Sequence, residues 1–221
     1  PTYLPISDSS ASNARPLSVL LANVGHTGSD HAAVVSVVQK ERPEAAVLLE
    51  TTDAWIEGLA PLREEYRHGV SVPRDDAFGV AIFSRVPVSG TVTEVLGTRD
   101  LPAAVVNLDM GLGGVTLIAA HPYPPVSSAD LRERDLYLQE LITLARGQPT
   151  PLVLCGDLNT TQWSPVFADV TEGIGLRDAS RGFGMQPTWN ALYPRLTQLP
   201  IDHCLVSPDI GVRGVRRGPK T

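Results

Sequence analysis

Apolar runs that stop on a polar residue recur along this chain, and no other feature constrains its fold as tightly. Leu17 to Val24 is apolar and β-branched enough for a strand buried on both faces, and it carries Asn23 near its end. Ala45 to Leu49 stops on Glu50, and Val115 to Ala120 stops on His121. Pro151 to Cys155 runs into Gly156-Asp157, with Asn159 close behind, and Ile201 to Val206 contains Asp202 and His203. Strands apolar on both faces belong to sheets covered on both sides. Their ends can present a side chain to a cleft from rigid backbone.

Between these runs the helix signals are clear. A cap at Ser29 or Asp30 opens a helix to about Glu41, with Ala33, Val34, Val37 and Val38 as its apolar stripe and Pro43 as its stop. Asp53 to Leu62 reads as a short helix. Ser127 with Asp130 three residues on is a capping-box pattern, and Leu131, Leu138, Leu141, Ile142 and Ala145 form the predicted buried face. Another short helix follows Ser164. Phe78 to Ser84, Val92 to Leu96 and Ala103 to Leu108 are further strands. Strands alternate with helices early and late and run together in the middle, which predicts an α/β fold with mixed sheets. Residues 1–15 are polar, carry prolines and read as an N-terminal arm or linker; 16–221 reads as one domain.

With 221 residues, the chain needs neither disulfide nor structural metal to fold. Its net charge of -6 disfavours tight binding to long nucleic acid, because the basic residues are scattered apart from Arg213, Arg216, Arg217 and Lys220. An acidic site that needs a cation to hold a phosphate is compatible with that charge. Cys155 and Cys204 sit in apolar runs and are expected to be free thiols, small buried hydrophobes. Trp163 and Trp189 could stack on a base or rest on a lipid, but buried packing is the expectation for each.

Each strand-end residue has a plain explanation: Asn23 as a turn former, Glu50 as the start of a helix, His121 as a satisfied edge histidine, Asp157 and Asn159 as parts of a turn. Those explanations require a separate polar accident after each apolar run. One chemistry accounts for the whole set. Asn23 and Glu50 offer hard oxygens suited to Mg²⁺ with several waters retained. A lone His without a Cys pair argues against structural zinc. Asp157 suits proton transfer, Asn159 positioning, and His121 donation to a phosphoryl oxygen. Metal-assisted phosphoester hydrolysis with a water nucleophile follows.

At these residues the chain resembles the endonuclease/exonuclease/phosphatase family, from Leu17 to the C-terminus and in the family's order. Asn23 matches the opening motif, Glu50 the metal-ligand position, Gly79-Val80-Ala81-Ile82-Phe83-Ser84-Arg85 the Gly-x-Ala-Ile-x-Ser-Arg strand, and His121 the strand-end His. Gly156-Asp157-Leu158-Asn159 matches the most specific motif, and Ile201-Asp202-His203 the late motif whose Asp orients a catalytic His. The resemblance implies a pancreatic-deoxyribonuclease-like fold, a four-layer α/β sandwich of two packed mixed β-sheets. It implies Mg²⁺, with Mn²⁺ as the alternative, held by Glu50 and Asn23. It also implies catalytic roles for His121, Asp157, Asn159 and Asp202. His203 is not expected to act, because strand alternation turns it away from Asp202.

Finer matches at His121-Pro122-Tyr123-Pro124-Pro125, Asn159-Thr160-Thr161-Gln162-Trp163-Ser164-Pro165 and Gln186-Pro187-Thr188-Trp189 resemble bacterial members with an extracytoplasmic domain behind membrane helices. They imply a monomer, periplasmic or at the cell surface, anchored to the membrane only through segments outside this chain. Two departures matter. Gly25 stands where some nucleases of the family carry Asp, which weakens an abasic-site reading. The family's closing Ser-Asp-His does not follow Ile210, so the expectation is a domain lacking its last motif and less active than one that has it. The leading reading is a metal-dependent hydrolase of a small phosphoester, nucleotide, lipid or nucleic acid. The alternative is a catalytically inactive domain that binds a phosphorylated ligand. A lectin-like or adhesion module would need neither Glu50 nor Asp157.

Overall fold

The computed structural model describes residues 2–8, 16–111, 113–189 and 198–218. Two parallel β-α-β units organise it. In the first, β2 (Leu17–Asn23) leads through α1 (His31–Glu41) to β3 (Ala45–Leu49), which lies parallel to β2. In the second, β8 (Gly114–Ala120) leads through α3 (Ser128–Arg146) to the parallel β9 (Leu152–Asp157). A parallel return needs a crossover, and the helix that makes it packs back on the sheet. Both crossover helices are capped as their sequences suggest, by Asp30 onto the Ala33 N–H and by Ser127 onto the Asp130 N–H.

All other pairings are antiparallel. One sheet also contains β1 (Thr2–Asp8), β4 (His68–Val72), β5 (Val80–Ser84), β12 (Ile210–Val212) and β13 (Arg216–Arg217). Its order is β12-β1-β2-β3-β5-β4, with β13 also on β1. The other sheet adds β6 (Val88–Leu96), β7 (Leu101–Asp109), β10 (Arg177–Asp178) and β11 (Asp202–Val206), in the order β10-β11-β9-β8-β7-β6.

Strand alternation sorts the apolar residues into three cores. Leu17, Val19 and Leu21 of β2 join Val47 and Ile82 in a core with Val106, Leu117, Val153 and Cys155 of the second sheet. The intervening Leu20 and Ala22 turn the other way, onto Val34 and Val38 of α1 and Trp55 of α2 (Asp53–Gly58). Ile118, Leu154 and Leu205 back onto Tyr137, Leu138 and Leu141 of α3 and onto Phe167 and Val170 of α4 (Pro165–Ile174). The result is the expected four layers: helices, sheet, sheet, helices.

Several local expectations are corrected. Residues 2–8 are not part of an arm; they form β1, paired antiparallel to β2 from Thr2↔Leu21 to Ile6↔Leu17. The remainder of the expected arm, 9–15, and residues 219–221 at the end of the basic cluster lie outside the described residues. The helix read from Asp53 to Leu62 ends at Gly58 and gives way to a 3-10 turn over Ala60–Glu64, in which Pro61 cannot donate an α-helical hydrogen bond. On α3, Leu131 is exposed, while Glu133, Arg134 and Tyr137 are buried, the tyrosine hydroxyl donating to the Pro102 carbonyl at 2.9 Å. Glu133 receives the Arg99 N–H and the Thr98 hydroxyl. Polar residues therefore share the buried face, because loops as well as the sheet press against it.

Cys155 and Cys204 are not free thiols but a disulfide. They are direct partners in the β9–β11 ladder, both pointing into the inter-sheet core. Pairing across 49 residues is a matter of register, which neither apolar run reveals alone.

Candidate active site

The strand ends bring the six candidate residues together along one edge of the sandwich. Asn23 closes β2, and its Nδ2 donates to Glu50 Oε1 at 2.7 Å, while its Oδ1 accepts the Gly25 N–H at 3.1 Å. Glu50 directly follows β3 and adopts φ 62°, in the left-handed region that a residue with a Cβ occupies at a cost of about 1 kcal/mol or more. Such backbone persists where its surroundings over-determine it, commonly at functional sites. Here the next residue supplies the constraint: the Thr51 carbonyl accepts the Arg74 N–H at 3.0 Å, and its N–H donates to the Gly79 carbonyl at 3.1 Å.

His121, which directly follows β8, is buried. Its Nε2 lies 3.7 Å from Glu50 Oε1, and its Nδ1 is 3.2 Å from the Asp157 carbonyl oxygen. A carbonyl only accepts, so Nδ1 carries the proton and Nε2 of the neutral ring is left bare toward Glu50. Burial pushes the His121 pKa down, with Glu50 opposing, so the ring is neutral near pH 7 and its contact with Glu50 is not an ion pair.

Asp157 ends β9, and Asp202 opens β11 directly across the ladder. Burial, then the neighbouring Asp202 and Glu50 carboxylates, push the Asp157 carboxyl well above the usual range; the Asn159 N–H, at 3.0 Å, and the Asn23 side chain pull against this. Burial also raises Asp202, against a hydrogen bond with Thr188. The buried Asp202 Oδ1 has no hydrogen-bond partner among the described residues. Asn159 takes φ 49° in the turn after β9 and ties that turn to the Pro122 carbonyl through Nδ2 at 2.9 Å.

The Gly of Gly156-Asp157 has a steric reason. A Cβ there would stand 1.9 Å from the Ala120 carbonyl oxygen on β8, so only glycine allows the two strands to close and bring Asp157 beside His121. His203 faces away, as alternation predicts: its Nε2 is 2.9 Å from the Thr160 carbonyl, and its ring packs on Phe167.

Two contributors were not visible in the strand-end pattern. His26 meets Glu50 twice, its N–H donating to Oε2 at 3.1 Å and its ring Nδ1 lying 3.2 Å from the same oxygen. The available signal was Gly25-His26-Thr27-Gly28, a glycine-bounded turn starting just past Asn23. Thr188, whose Oγ1 accepts the Asp202 N–H at 3.2 Å, had appeared only as part of a motif. Trp163 and Trp189 are not packed inside as expected; both are at least half exposed, at 62% and 50%. Trp163 lines a cleft of ≈ 770 Å³ with Gln162, Arg177, Arg181 and Met185.

A divalent cation suits this donor set. Three carboxylates, Glu50, Asp157 and Asp202, crowd one partly closed edge with the Asn23 amide; burial raises both aspartates, and like charge adds to the rise at Asp157. A cation would relieve that repulsion. Among the described residues no group of three or more His, Cys, Asp or Glu side chains is arranged to hold a metal ion by itself. Glu50 and Asn23 could hold an ion that keeps much of its water, as Mg²⁺ does.

The comparisons agree with this architecture. The solved structure of an endonuclease/exonuclease/phosphatase from Beutenbergia cavernae superposes with a TM-score of 0.68 and 24% identity, over 86% of this chain and 64% of that one. The chain thus spans somewhat less than two thirds of that relative. Beta toxin from Staphylococcus aureus, in a F277A, P278A mutant with bound magnesium ions, gives a TM-score of 0.68 at 16% identity, covering 91% of this chain and 85% of that one. Sphingomyelinase C from Streptomyces griseocarneus gives 0.64 at 16%, covering 86% and 82%. At these identities the likeness is one of fold. No curated protein sequence matches. The profile of the Endonuclease/Exonuclease/phosphatase family matches residues 20–221, and with Asn23, Glu50, His121, Asp157, Asn159 and Asp202 gathered at one edge, the chain belongs to that family.

Proposed function

We propose that this domain is a phosphoesterase dependent on Mg²⁺ or Mn²⁺ that hydrolyses its substrate with water. The observation that carries the reading is the carboxylate pair of buried Asp157 and half-buried Asp202 beside Glu50, Asn23 and His121. The cation, when bound at Glu50 and Asn23, supplies charge neutralisation for the phosphoryl oxygens. Asp157, with its raised pKa, is suited to take a proton from the attacking water, since a base works best when its pKa approaches the working pH. His121 donates to a phosphoryl oxygen from Nε2 once the ring takes up a second proton, which an incoming phosphate favours. Asn159, in its anchored turn, orients the substrate.

Asp202 completes the machinery as the orienting carboxylate for an acid/base imidazole. Its Oδ1, which has no partner among the described residues, supports this role, and the resemblance supplies the partner as the His of a Ser-Asp-His motif. The same orphan oxygen favours a second reading, an inactive domain that binds a phosphorylated ligand. An extracytoplasmic setting is supported by the Cys155–Cys204 disulfide, since such bonds persist in oxidising compartments. Membrane anchoring rests on the resemblance; among the described residues no helix is long and apolar enough to cross a membrane.

The test is a panel of phosphomonoesters and phosphodiesters (nucleotides, inositol phosphates, sphingomyelin and short DNA) assayed with Mg²⁺ or Mn²⁺. It uses a chain ending at Thr221 and one carrying the family's closing motif. Turnover by the second, with kcat falling more than KM rises in the first, supports the hydrolase. Binding of a phosphorylated compound without turnover by either favours the binding domain.

A further inference from the structure

We propose that Arg134 and His203, which lie outside the set of six, are positioning residues for the reaction: together they hold the turn that aims Asn159 at the substrate. The inference rests on the substrate-orienting role given to Asn159 above and extends it to the two side chains that anchor its turn.

Backbone that leaves a buried ladder still needs partners for its polar groups. Leu158 finds one on the approach to β11, its N–H donating to the Ile201 carbonyl at 2.9 Å. Beyond it the chain turns, and the next two carbonyls are satisfied by side chains instead. Arg134 of α3 donates from Nη1 to the Asn159 carbonyl at 3.1 Å, and His203 of β11 donates from Nε2 to the Thr160 carbonyl at 2.9 Å. A carbonyl only accepts, so the His203 proton at this contact is on Nε2. Both side chains are buried, and each is held from behind. Nε and Nη2 of Arg134 donate to Asp135 Oδ1 at 2.9 and 2.7 Å. The His203 ring packs on Phe167 of α4, and its Nδ1 faces Asp178 Oδ2 at 3.6 Å. The other Asp178 oxygen accepts the Ser180 N–H at 2.8 Å. Burial would raise the Asp178 carboxyl, but His203 and Ser180 outweigh it and hold it below its usual range.

Three successive peptide groups are fixed in this way. The Asp157 carboxylate accepts the Asn159 N–H at 3.0 Å, Arg134 holds the Asn159 carbonyl, and His203 holds the Thr160 carbonyl. The first two groups flank the Asn159 Cα, so their bonds set its φ and ψ. The third keeps the turn from relaxing on its far side. Asn159 needs such restraint, because φ 49° is left-handed backbone, which persists where the surroundings over-determine it. The restraint passes to the side chain. One Nδ2 proton of Asn159 is donated to the Pro122 carbonyl at 2.9 Å, so the amide's other proton and its oxygen point where the turn directs them. The two anchors come from different elements, a helix and a strand, so neither element can shift the turn alone. His203 thus follows Asp202 on the same strand and serves the site from the opposite face, through the backbone rather than by contact with substrate.

The experiment reads the Asn159 side-chain amide by ¹H–¹⁵N NMR of the folded chain, its signals assigned by their loss in Asn159→Asp. His203→Leu and Arg134→Met keep side-chain bulk without a donor, and His203→Gln returns a donor near the Nε2 position. The wild type should show one shifted, slowly exchanging Nδ2 proton, the one bonded to Pro122. That signature should vanish in His203→Leu and Arg134→Met and persist in His203→Gln. In whichever chain of the panel above turns over a phosphoester, kcat/KM should fall about tenfold or more in His203→Leu and Arg134→Met. It should recover to within about threefold of wild type in His203→Gln. Added to Asn159→Ala, neither variant should cost much more, since both act through that residue. Should an apolar variant not fold, His203→Asn or Arg134→Lys, polar but with the donor displaced, replaces it with the same expected losses. An amide signature untouched by every variant, or losses that add in full to that of Asn159→Ala, overturns the brace while leaving the role of Asn159 standing. Wild-type turnover by Asn159→Ala overturns that role, and the positioning proposal with it.

Discussion

Asp157 and Asp202 are direct partners across the β9–β11 ladder, and two residues further along the same face the next pair of this kind is the Cys155–Cys204 disulfide. Like charges directly opposite each other in a ladder repel. In this fold the pair falls in a largely closed edge, where burial, and then the repulsion, raise the Asp157 pKa, and one Asp202 oxygen has no partner among the described residues. The site is therefore destabilising in the metal-free protein, and the core beside it is cross-linked.

Asp157→Asn keeps the shape and removes the charge. Turnover of any phosphoester substrate should fall by about 10²–10⁴ if Asp157 is the base. Stability should move the other way. Because the folded pKa is raised, the stability tied to the neutral carboxyl is complete below the unfolded pKa and is lost as pH rises through the folded one. Thermal melts of metal-free protein should show the variant more stable than the wild type at neutral pH, with the gap closing toward pH 3. A variant destabilised at neutral pH would contradict the repulsion argument.

At Glu50 the left-handed backbone makes an unusual ordering. Alanine normally exceeds glycine in stability, but at φ 62° the Cβ is penalised. Denaturant melts should find Glu50→Gly at least as stable as Glu50→Ala, by up to about 1 kcal/mol. The usual order, with alanine ahead, would mean that the turn relaxes once the carboxylate is gone.

Gly156→Ala tests the contact that brings together the two strands leading to His121 and Asp157. Its methyl would meet the Ala120 carbonyl, backbone that cannot move without parting β8 from β9. The loss should reach or exceed the upper end of the about 1–3 kcal/mol typical of overpacking. Activity should fall even in the folded fraction, because His121 and Asp157 hang from those two strands.

Replacing both Cys155 and Cys204 by alanine removes a link between positions 49 residues apart, for which the chain-entropy account gives about 4 kcal/mol. Chemical denaturation of the oxidised wild type against the double variant reads this loss, and thiol titration of unfolded wild type should find no free cysteine. Two titratable thiols would return the pair to the role of buried hydrophobes.

Much of this molecule is legible in one dimension. β3 was bounded correctly from its apolar run, α1 and the start of α3 from their caps, and the gathering of the candidate residues at one edge was legible in the habit of ending such runs on Asn, Glu, His or Asp. The failures share a cause. β1 contains Pro5 and lies in a polar stretch of sequence, so only its pairing with β2 reveals it as a strand. Leu131 follows the helical period yet is exposed, since the loop at Thr98-Arg99 draws Glu133 to the buried face. Trp163 and Trp189 are large and apolar, but they sit in loops beyond the layers and remain at the surface.

What the sequence by itself determined is local: which segments are strands or helices, which faces are apolar, and which polar residues stand at the ends of buried runs. These follow from side-chain period, capping and turn chemistry, which act over a few residues. Only the tertiary structure decided the relationships across long separations. It set the register that opposes Asp157 to Asp202 and joins Cys155 to Cys204, the bond from His121 to the Asp157 carbonyl that assigns the imidazole proton, and the approach of His26 to Glu50. The reason is that a strand's apolar pattern specifies its faces but not its partner, and the partner is chosen by how two sheets and their helices pack at once.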